Sequence, residues 1–416
     1  MPTYPRSIPY QDLIKTHPDY NAKELEDYYA LYVGSSEFRD RIDNFLIKRK
    51  VEESNLGIIT NELYAQRKKW AFYINRAGGL IDWLSAAVFP NNIEIRSSDE
   101  FYTSLNEDAD GLGTPLNSIL RKVLTETMVN KRAYLYPKAM GEDMRIWSYG
   151  ALTVDNWNKD KDNILQWVRM HTNNVERYMD GTSEKTDKYI FIDNENIITY
   201  ECKGAEKDAT KVGEEKHNFG ILPVFEIDIN AGAWVMDRIY DVAVALFNAE
   251  AGLSFSTALS AHPQLVLKLK DSKIDSLVLS EIAAIRLDID EDIKYLAPDA
   301  NSYTPQGDMI NRLKAAFYEV LKSMTHAENV PQAGRLSGDA IEKMQSPMKI
   351  LLKSLAWPVV ISLQNWITAV SEFRNDNAEV EVFIKDNEPP AVEDMKEAAR
   401  LNDTPEVPPN EEQMDK

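Results

Sequence analysis

The chain has 416 residues, 44% of them apolar, and a formal net charge of −20. That length allows two or three compact units with an ample core, and the acidic balance argues against a protein that wraps nucleic acid tightly, which would carry a basic face. A single cysteine, Cys202, excludes an intrachain disulfide framework and a cysteine metal cluster, and fits a reducing compartment. The opening residues carry no apolar segment of the signal-peptide kind. No run of eighteen apolar residues exists, so neither a transmembrane span nor a membrane partner is expected.

Residues 1–22, with Pro2, Pro5, Pro9 and Pro18, read as an N-terminal arm. Helices are predicted over 23–32 and 36–48, the second with Phe38, Ile42, Phe45 and Leu46 inward. A long helical pattern covers 61–89, and Gly78-Gly79 is expected to divide or bend it. Ile93-Glu94-Ile95 alternates like a short strand. The polar loop NEDADGLG at 106–113 superficially resembles a calcium loop, but no acidic residue closes the twelfth position, so it reads as a solvated turn. A helix over 114–127 follows.

From 131 to 229 the apolar period changes to two. Strands are predicted over 132–137, 144–147, 164–171, 189–192, 196–200 and 224–229, separated by turns such as Asp193-Asn194-Glu195. An antiparallel β region after a helical one makes the class α+β. Helical spacing returns over 232–260, where Met236, Ile239, Tyr240, Ala243, Leu246, Phe247 and Leu253 share a face. A small module follows, with strands at 264–269, 285–289 and 293–296 and a short helix at 275–284. The next helix, 305–327, carries Ile310, Leu313, Phe317, Val320, Leu321 and Met324.

The stretch from Glu328 to Arg374 begins as a loop, because Pro331, Gly334 and Gly338 oppose regular structure. Ser337 then suits an N-cap and Asp339 the first turn of a helix. Ile341, Met344, Met348, Leu352, Leu355, Val359, Leu363, Trp366, Val370 and Phe373 recur at three or four residues. Unbroken, this helix is roughly 55 Å long; Pro347 and Pro358 predict one or two kinks. Trp357 and Val360 lie off the main stripe, which suits packing between subunits. A closing strand is predicted over 379–385. After Asn387 the chain is rich in Pro, Glu and Asp, and 388–416 is expected to be a disordered acidic tail.

Little here carries catalytic chemistry. The five histidines lie far apart, and there is no H-E-x-x-H, no G-x-S-x-G and no phosphate-binding lysine loop. Cys202 has no base that the sequence points to. LDIDED at 287–292 puts Asp288 and Asp290 on one face of a strand, and with Asp292 it is the one run that would suit an acidic metal-dependent hydrolase. A strand with a polar edge is the plainer reading, since no basic partner sits nearby. Arg67-Lys68-Lys69-Trp70 could contact phosphates, but a solvated helix face is the plainer reading. No catalytic residue, metal ligand or cofactor is assigned, and the chain is not expected to be an enzyme.

Five local patterns occur in a characteristic order: YYALY at 28–32, AFYINRAGGLIDWL at 71–84, SYGALTVDNW at 148–157, FGILPVFEI at 219–227 and RLSGDAI at 335–341. Together with the order helix, β unit, helix, loop, longest helix, they resemble the portal proteins of tailed bacteriophages over most of the chain, from about Tyr10 to Asn387. The resemblance implies an α+β wing at 23–231, stem helices at 232–260 and 305–327, and a small α/β clip at 261–304. It implies a tunnel loop at 328–338 and a long kinked wing helix with its closing strand at 339–387. A crown would be minimal or absent. It further implies a homo-oligomeric ring, typically a dodecamer, at the portal vertex of the virion and in the host cytoplasm during assembly. Such a ring passes double-stranded DNA without reading its sequence, and its partners are the terminase large subunit, the major capsid or scaffold protein and a head–tail adaptor. On this reading Asn329, Gln332, Arg335 and Ser337 face DNA in the tunnel loop, and Lys268, Lys270, Asp288, Asp290 and Lys294 meet terminase or adaptor at the clip. Another capsid-associated structural protein is the alternative of similar build.

Overall fold

The computed structural model describes residues 4–53, 58–89, 93–140, 143–177, 183–203, 207–229, 231–261, 264–267, 293–296, 303–324, 338–376 and 378–384. They form an α+β fold. The N-terminal stretch expected as an arm is docked: strand β1 (Ser7–Pro9) and a single turn α1 (Tyr10–Leu13) lie against the sheet described below, with Leu13 buried. Helix α2 (Ala22–Val33) starts at Asn21, which accepts from the Glu24 amide and donates to the Glu24 carboxylate. This reciprocal cap satisfies two groups at once.

The helix expected over 36–48 is two short ones, α3 (Ser35–Asp40) and α4 (Ile42–Phe45). They part at Arg41, whose guanidinium turns back to Asp27 and Glu26. After α5 (Lys50–Glu53), the pattern expected as one helix over 61–89 is also divided, into α6 (Ile58–Trp70) and α7 (Arg76–Val88). The break falls at 71–75 and not at Gly78-Gly79, because two side chains there have better partners outside a helix. Tyr73 stacks on Phe38 at 4.2 Å and donates its hydroxyl to the Leu31 carbonyl at 2.9 Å. Asn75 accepts from the Gly78 amide and donates to the Tyr32 carbonyl, both at 2.8 Å, so it caps α7 while tying it to the end of α2. Gly78 has a packing role: a Cβ there would lie 2.3 Å from the Tyr32 carbonyl oxygen.

Strand β2 (Ile93–Ser97), helix α8 (Glu100–Ser104) and helix α9 (Leu116–Asn130) follow. The loop between the two helices is a turn closed on its own backbone. Asp110 accepts from the Leu112 and Thr114 amides, and Asp108 from Gly113. Burial alone would raise the Asp110 pKa, but hydrogen bonds from the Thr114 side chain and from the Leu112 and Thr114 amides take it below the usual value.

Eight strands come next: β3 (Arg132–Met140), β4 (Asp143–Gly150), β5 (Val154–Lys159), β6 (Leu165–Arg177), β7 (Ser183–Ile192), β8 (Asn196–Lys203), β9 (Asp208–Lys216) and β10 (Phe225–Asp228). They make an antiparallel six-stranded sheet in the order β1-β9-β8-β7-β6-β5 and a three-stranded sheet β10-β3-β4. Strands β5 and β9 are absent from the sequence reading. In β9 only Ala209 is buried, so its polar, exposed run gives no period-two signal; pairing to β1 and β8 holds it.

Helix α10 (Val235–Ala261) leads to strands β11 (Gln264–Leu267) and β12 (Ile293–Leu296), which pair antiparallel with Gln264 opposite Leu296. Helix α11 (Tyr303–Met324) follows, then α12 (Gly338–Arg374), which is helical through both Pro347 and Pro358. Strand β13 (Val380–Ile384) returns to pair with β2. The largest core joins α2, α7, α9, α10 and α12, with β2 and β3 along its side. From Leu355 on, α12 buries Leu355, Val359, Leu363, Trp366 and Val370 completely, as its stripe predicts, but Phe373 at the end of that stripe is 38% exposed. Val360, expected off the stripe, is also buried, whereas Trp357 is 62% exposed.

Candidate assembly elements

The region that the sequence singles out is the run of long helices around the small β pair. Helix α10, 27 residues and about 40 Å long, packs beside α11, and the β11–β12 pair lies between them in the chain. Its buried face is Val235, Met236, Ile239, Ala243, Leu246, Phe247, Ala251 and Phe255, a helical period that places all of them but Leu246 and Phe255 in the main core.

Two polar joints fix α10 to the rest. Glu250 lies on the buried face, three residues after Phe247. Both of its carboxylate oxygens accept from the Arg76 guanidinium on α7, at 2.7 and 3.0 Å, and Lys314 on α11 stands 3.9 Å away. One carboxylate thus gathers three helices, and bidentate geometry is the strong form of such a pair. Asn248 donates to the Phe45 carbonyl at 2.8 Å and accepts from the Ile47 amide at 2.9 Å, fixing α10 to the segment after α4. Between these joints Phe247 meets Phe38 edge to face at 4.8 Å. The space left among Tyr73, Arg76, Leu246, Glu250 and Phe317 is about 10 Å³, so side chains fill the joint.

At the start of α10, Tyr28 packs edge to face on Trp234 and Tyr240. Its hydroxyl donates to Glu24 at 2.9 Å and Asp237 at 3.1 Å. Burial, reinforced by these two carboxylates, pushes its pKa far above that of a free tyrosine.

Of the site residues named from the sequence, Lys294 is placed in β12 opposite Val266. Asn329, Gln332, Arg335, Ser337, Lys268, Lys270, Asp288 and Asp290 lie outside the described residues, as does Asp292. Among the described residues no group of three or more His, Cys, Asp or Glu side chains could hold a metal, and no helix is long and apolar enough to cross a membrane.

Arg67 corrects the reading of the 67–70 run as a solvated face. It is buried, donates to both Glu52 oxygens at 3.1 and 2.7 Å, and reaches the Ile47 carbonyl at 2.6 Å. The Arg76–Glu250 joint escaped sequence reasoning altogether. Its one visible sign is a lone acid within the apolar face of a helix, at a position where an unpaired charge would be very costly.

No family model matches the sequence, and no curated protein matches it. Among solved structures, the chain is similar to one in the virion of a native gene transfer agent particle, at 12% identity over 89% of this chain and 95% of that one, with a TM-score of 0.42. It is similar to a chain in the neck of an empty particle of that kind computed with C6 symmetry, at 11% identity over 81% and 88%, TM-score 0.41. A third similar chain comes from the neck of a native particle computed with C12 symmetry, at 13% identity over 89% and 95%, TM-score 0.37. Likeness at these levels assigns no role to this chain.

Proposed function

We propose that this chain is a portal-type protein: copies of it close into a ring at one capsid vertex, and double-stranded DNA passes through the ring during packaging and ejection. The observation that carries the reading is the order of elements around α10. A mixed α+β body leads into a long helix, a small antiparallel pair, a second long helix packed on the first, and the longest helix returning into the body's core. This order coincides with the five sequence patterns that resemble the portal family.

On this reading α10 and α11 are the stem, β11 and β12 belong to the clip, and the terminase large subunit and later a head–tail adaptor dock there. The capsid or scaffold protein meets the wing. The activity is passage, with no catalytic centre and no cofactor. A channel must let DNA slide, and each phosphate contact by a lysine or arginine adds affinity that does not depend on sequence. A chain of net charge −20 keeps that affinity low. Arg335, with Asn329 and Gln332, supplies weak exchangeable contacts from the tunnel loop.

The test is the mass of the purified full chain in solution by light scattering, followed by averaged electron images of the large particle. A closed ring of about twelve copies with a central channel is the expected result. A monomer or dimer under all conditions, with or without capsid and scaffold proteins, overturns it.

A further inference from the structure

A cavity of about 390 Å³ opens where helix α9 ends, bounded by the N-terminal stretch, the start of α2 and residues of β3 and β5. Tyr20, Tyr134, Trp157 and Trp234 stand on its walls. Ligand sites are commonly pockets of this size, with apolar and aromatic walls and a few convergent polar groups.

One polar group at this cavity lacks a partner. Asn130, the last residue of α9, is 1% exposed. Its Nδ2 donates to Glu126 at 2.9 Å, and Glu126 does not line the cavity. The side of the amide left facing the cavity is Oδ1, which accepts no hydrogen bond within the chain. A buried acceptor without a donor is costly, so this one calls for a donor from outside. Water can supply one; the charges around it select something more specific.

The charged residues on the lining are Asp19, Glu24, Lys131 and Arg132. Arg132 is already balanced. Its Nε lies 3.7 Å from Glu226 and 3.9 Å from Asp228, and Lys159 donates to Glu226 at 2.6 Å, so two cations face two carboxylates. Asp19 and Glu24 have no Lys or Arg partner among the described residues. The Glu24 oxygens accept from Tyr28 and Asn21, both neutral, at 2.9 Å each. His17 Nδ1 accepts from the Asp19 amide at 3.1 Å, so it cannot also donate to the Asp19 carboxylate 3.7 Å away. Lys131 alone opposes these two acids, and the C-terminal end of α9 adds partial negative charge. Aromatic faces attract cations as well, and Arg132 already lies over the Trp157 ring at 5.0 Å.

We propose that this cavity binds an organic cation, a guanidinium or alkylammonium head on an apolar stem. The head donates to Asn130 Oδ1, Asp19 and Glu24 keep the surrounding potential negative, and the stem packs on Trp234 and Leu25. The same head is carried by a free small molecule and by an Arg or Lys side chain of a partner protein. A phosphate or carboxylate meets the wrong potential and finds an acceptor where it needs a donor. The inference does not depend on the ring reading above.

The test is isothermal titration calorimetry of the full-length chain with agmatine and with the blocked tripeptide acetyl-Gly-Arg-Gly-amide, glutarate serving as the anionic control. The variants are Glu24→Gln, Lys131→Gln and Glu372→Gln, the last removing an exposed acid on α12 that does not line the cavity. Saturable binding of at least one cationic probe, and none of glutarate, is the expected result. Glu24→Gln should raise Kd about fivefold and Lys131→Gln should lower it about threefold, while Glu372→Gln leaves it unchanged. A gain of affinity in Lys131→Gln cannot come from damage to the fold. Should Glu24→Gln fail to fold, an unchanged Kd in Lys131→Gln overturns the proposal. Tighter binding of agmatine assigns the head to a free molecule, and tighter binding of the tripeptide assigns it to a partner's side chain. Wild type that binds neither probe saturably, or binds glutarate better, overturns the proposal and leaves a water-filled cavity or an anion site. A Glu372→Gln effect as large as that of Glu24→Gln overturns it too, because general attraction to an acidic chain then explains the binding.

Discussion

The helical body and the six-stranded sheet are stabilised in different ways. The body has one large continuous core, in which α12 supplies Leu355, Val359, Leu363, Trp366 and Val370, all inaccessible to water. The sheet has two small clusters, one on each face. Val168, Met170 and Ile192 face Tyr134, Trp157, Leu222 and Val224 on one side. Tyr189, Ile198, Tyr200 and Cys202 face Leu13 and the N-terminal stretch on the other. Between Tyr189 and Phe191 lies Arg169, almost wholly buried, whose Nε donates to Asp155 at 2.7 Å. A broad apolar core tolerates loss of one contact by spreading it over many neighbours. A thin one depends on a few polar pairs and on a cover strip, so it fails at specific places.

The sharpest way to break this comparison is to remove one partner of the sheet's buried pair. Asp155→Ala leaves the Arg169 charge buried and uncompensated and is expected to cost about 3–5 kcal/mol, read by urea unfolding. Asp155→Leu with Arg169→Met removes both charges and should recover most of that loss. In the helical body the matched experiment is Leu363→Ala, expected to cost about 3 kcal/mol through lost transfer energy and a cavity. If Leu363→Ala proves the more damaging of the two, the sheet does not depend on its polar pair in the way argued.

The contrast also explains what the sequence made legible. Wherever burial is one-sided and apolar, the period shows most of it: Leu355, Val359, Leu363, Trp366 and Val370 on α12 and Met236, Ile239, Ala243, Leu246 and Phe247 on α10 are buried as read, while Phe373 at the end of the α12 stripe is exposed. Breaks set by single side chains are not. Tyr73 and Asn75 end one helix and start another through bonds to residues some forty positions away, and nothing local distinguishes them. Strand β9 buries only Ala209 and so carries no apolar period to read. The proposed channel and clip residues were reached through resemblance, not periodicity, because a loop that touches DNA weakly needs no patterned side chains. The run 67–70 was visible as composition, but that Arg67 is internal while Trp70 is exposed is a tertiary fact.

A smaller effect tests the cover strip. Leu13→Ala is expected to cost about 2 kcal/mol and to raise hydrogen exchange selectively in β7, β8 and β9, which the N-terminal stretch covers, while amides of α9 and α12 stay protected. Uniform loss of protection across both regions would show that they unfold as one unit.

The smallest expected effect returns to the helical side, where one polar group works against the core. Glu126 on α9 accepts from Asn130 at 2.9 Å, and its carboxylate fits only because Gly150 has no side chain; a Cβ there would lie 2.3 Å from Oε1. Burial outweighs the hydrogen bonds from Asn130 and Ala151 and raises its pKa above the usual glutamate value. The folded state thus holds its proton more tightly than the unfolded chain does. The stability this contributes is full below the unfolded pKa of about 4.3 and is lost as pH rises through the folded value. Glu126→Gln keeps the shape and removes the charge, so at pH 7 it should raise Tm by on the order of one or two degrees, with the gain vanishing near pH 4. A gain equal at both pH values would trace the effect to packing instead. A loss at pH 7 would mean that the ionised carboxylate is a net contributor to the joint between α9 and β4.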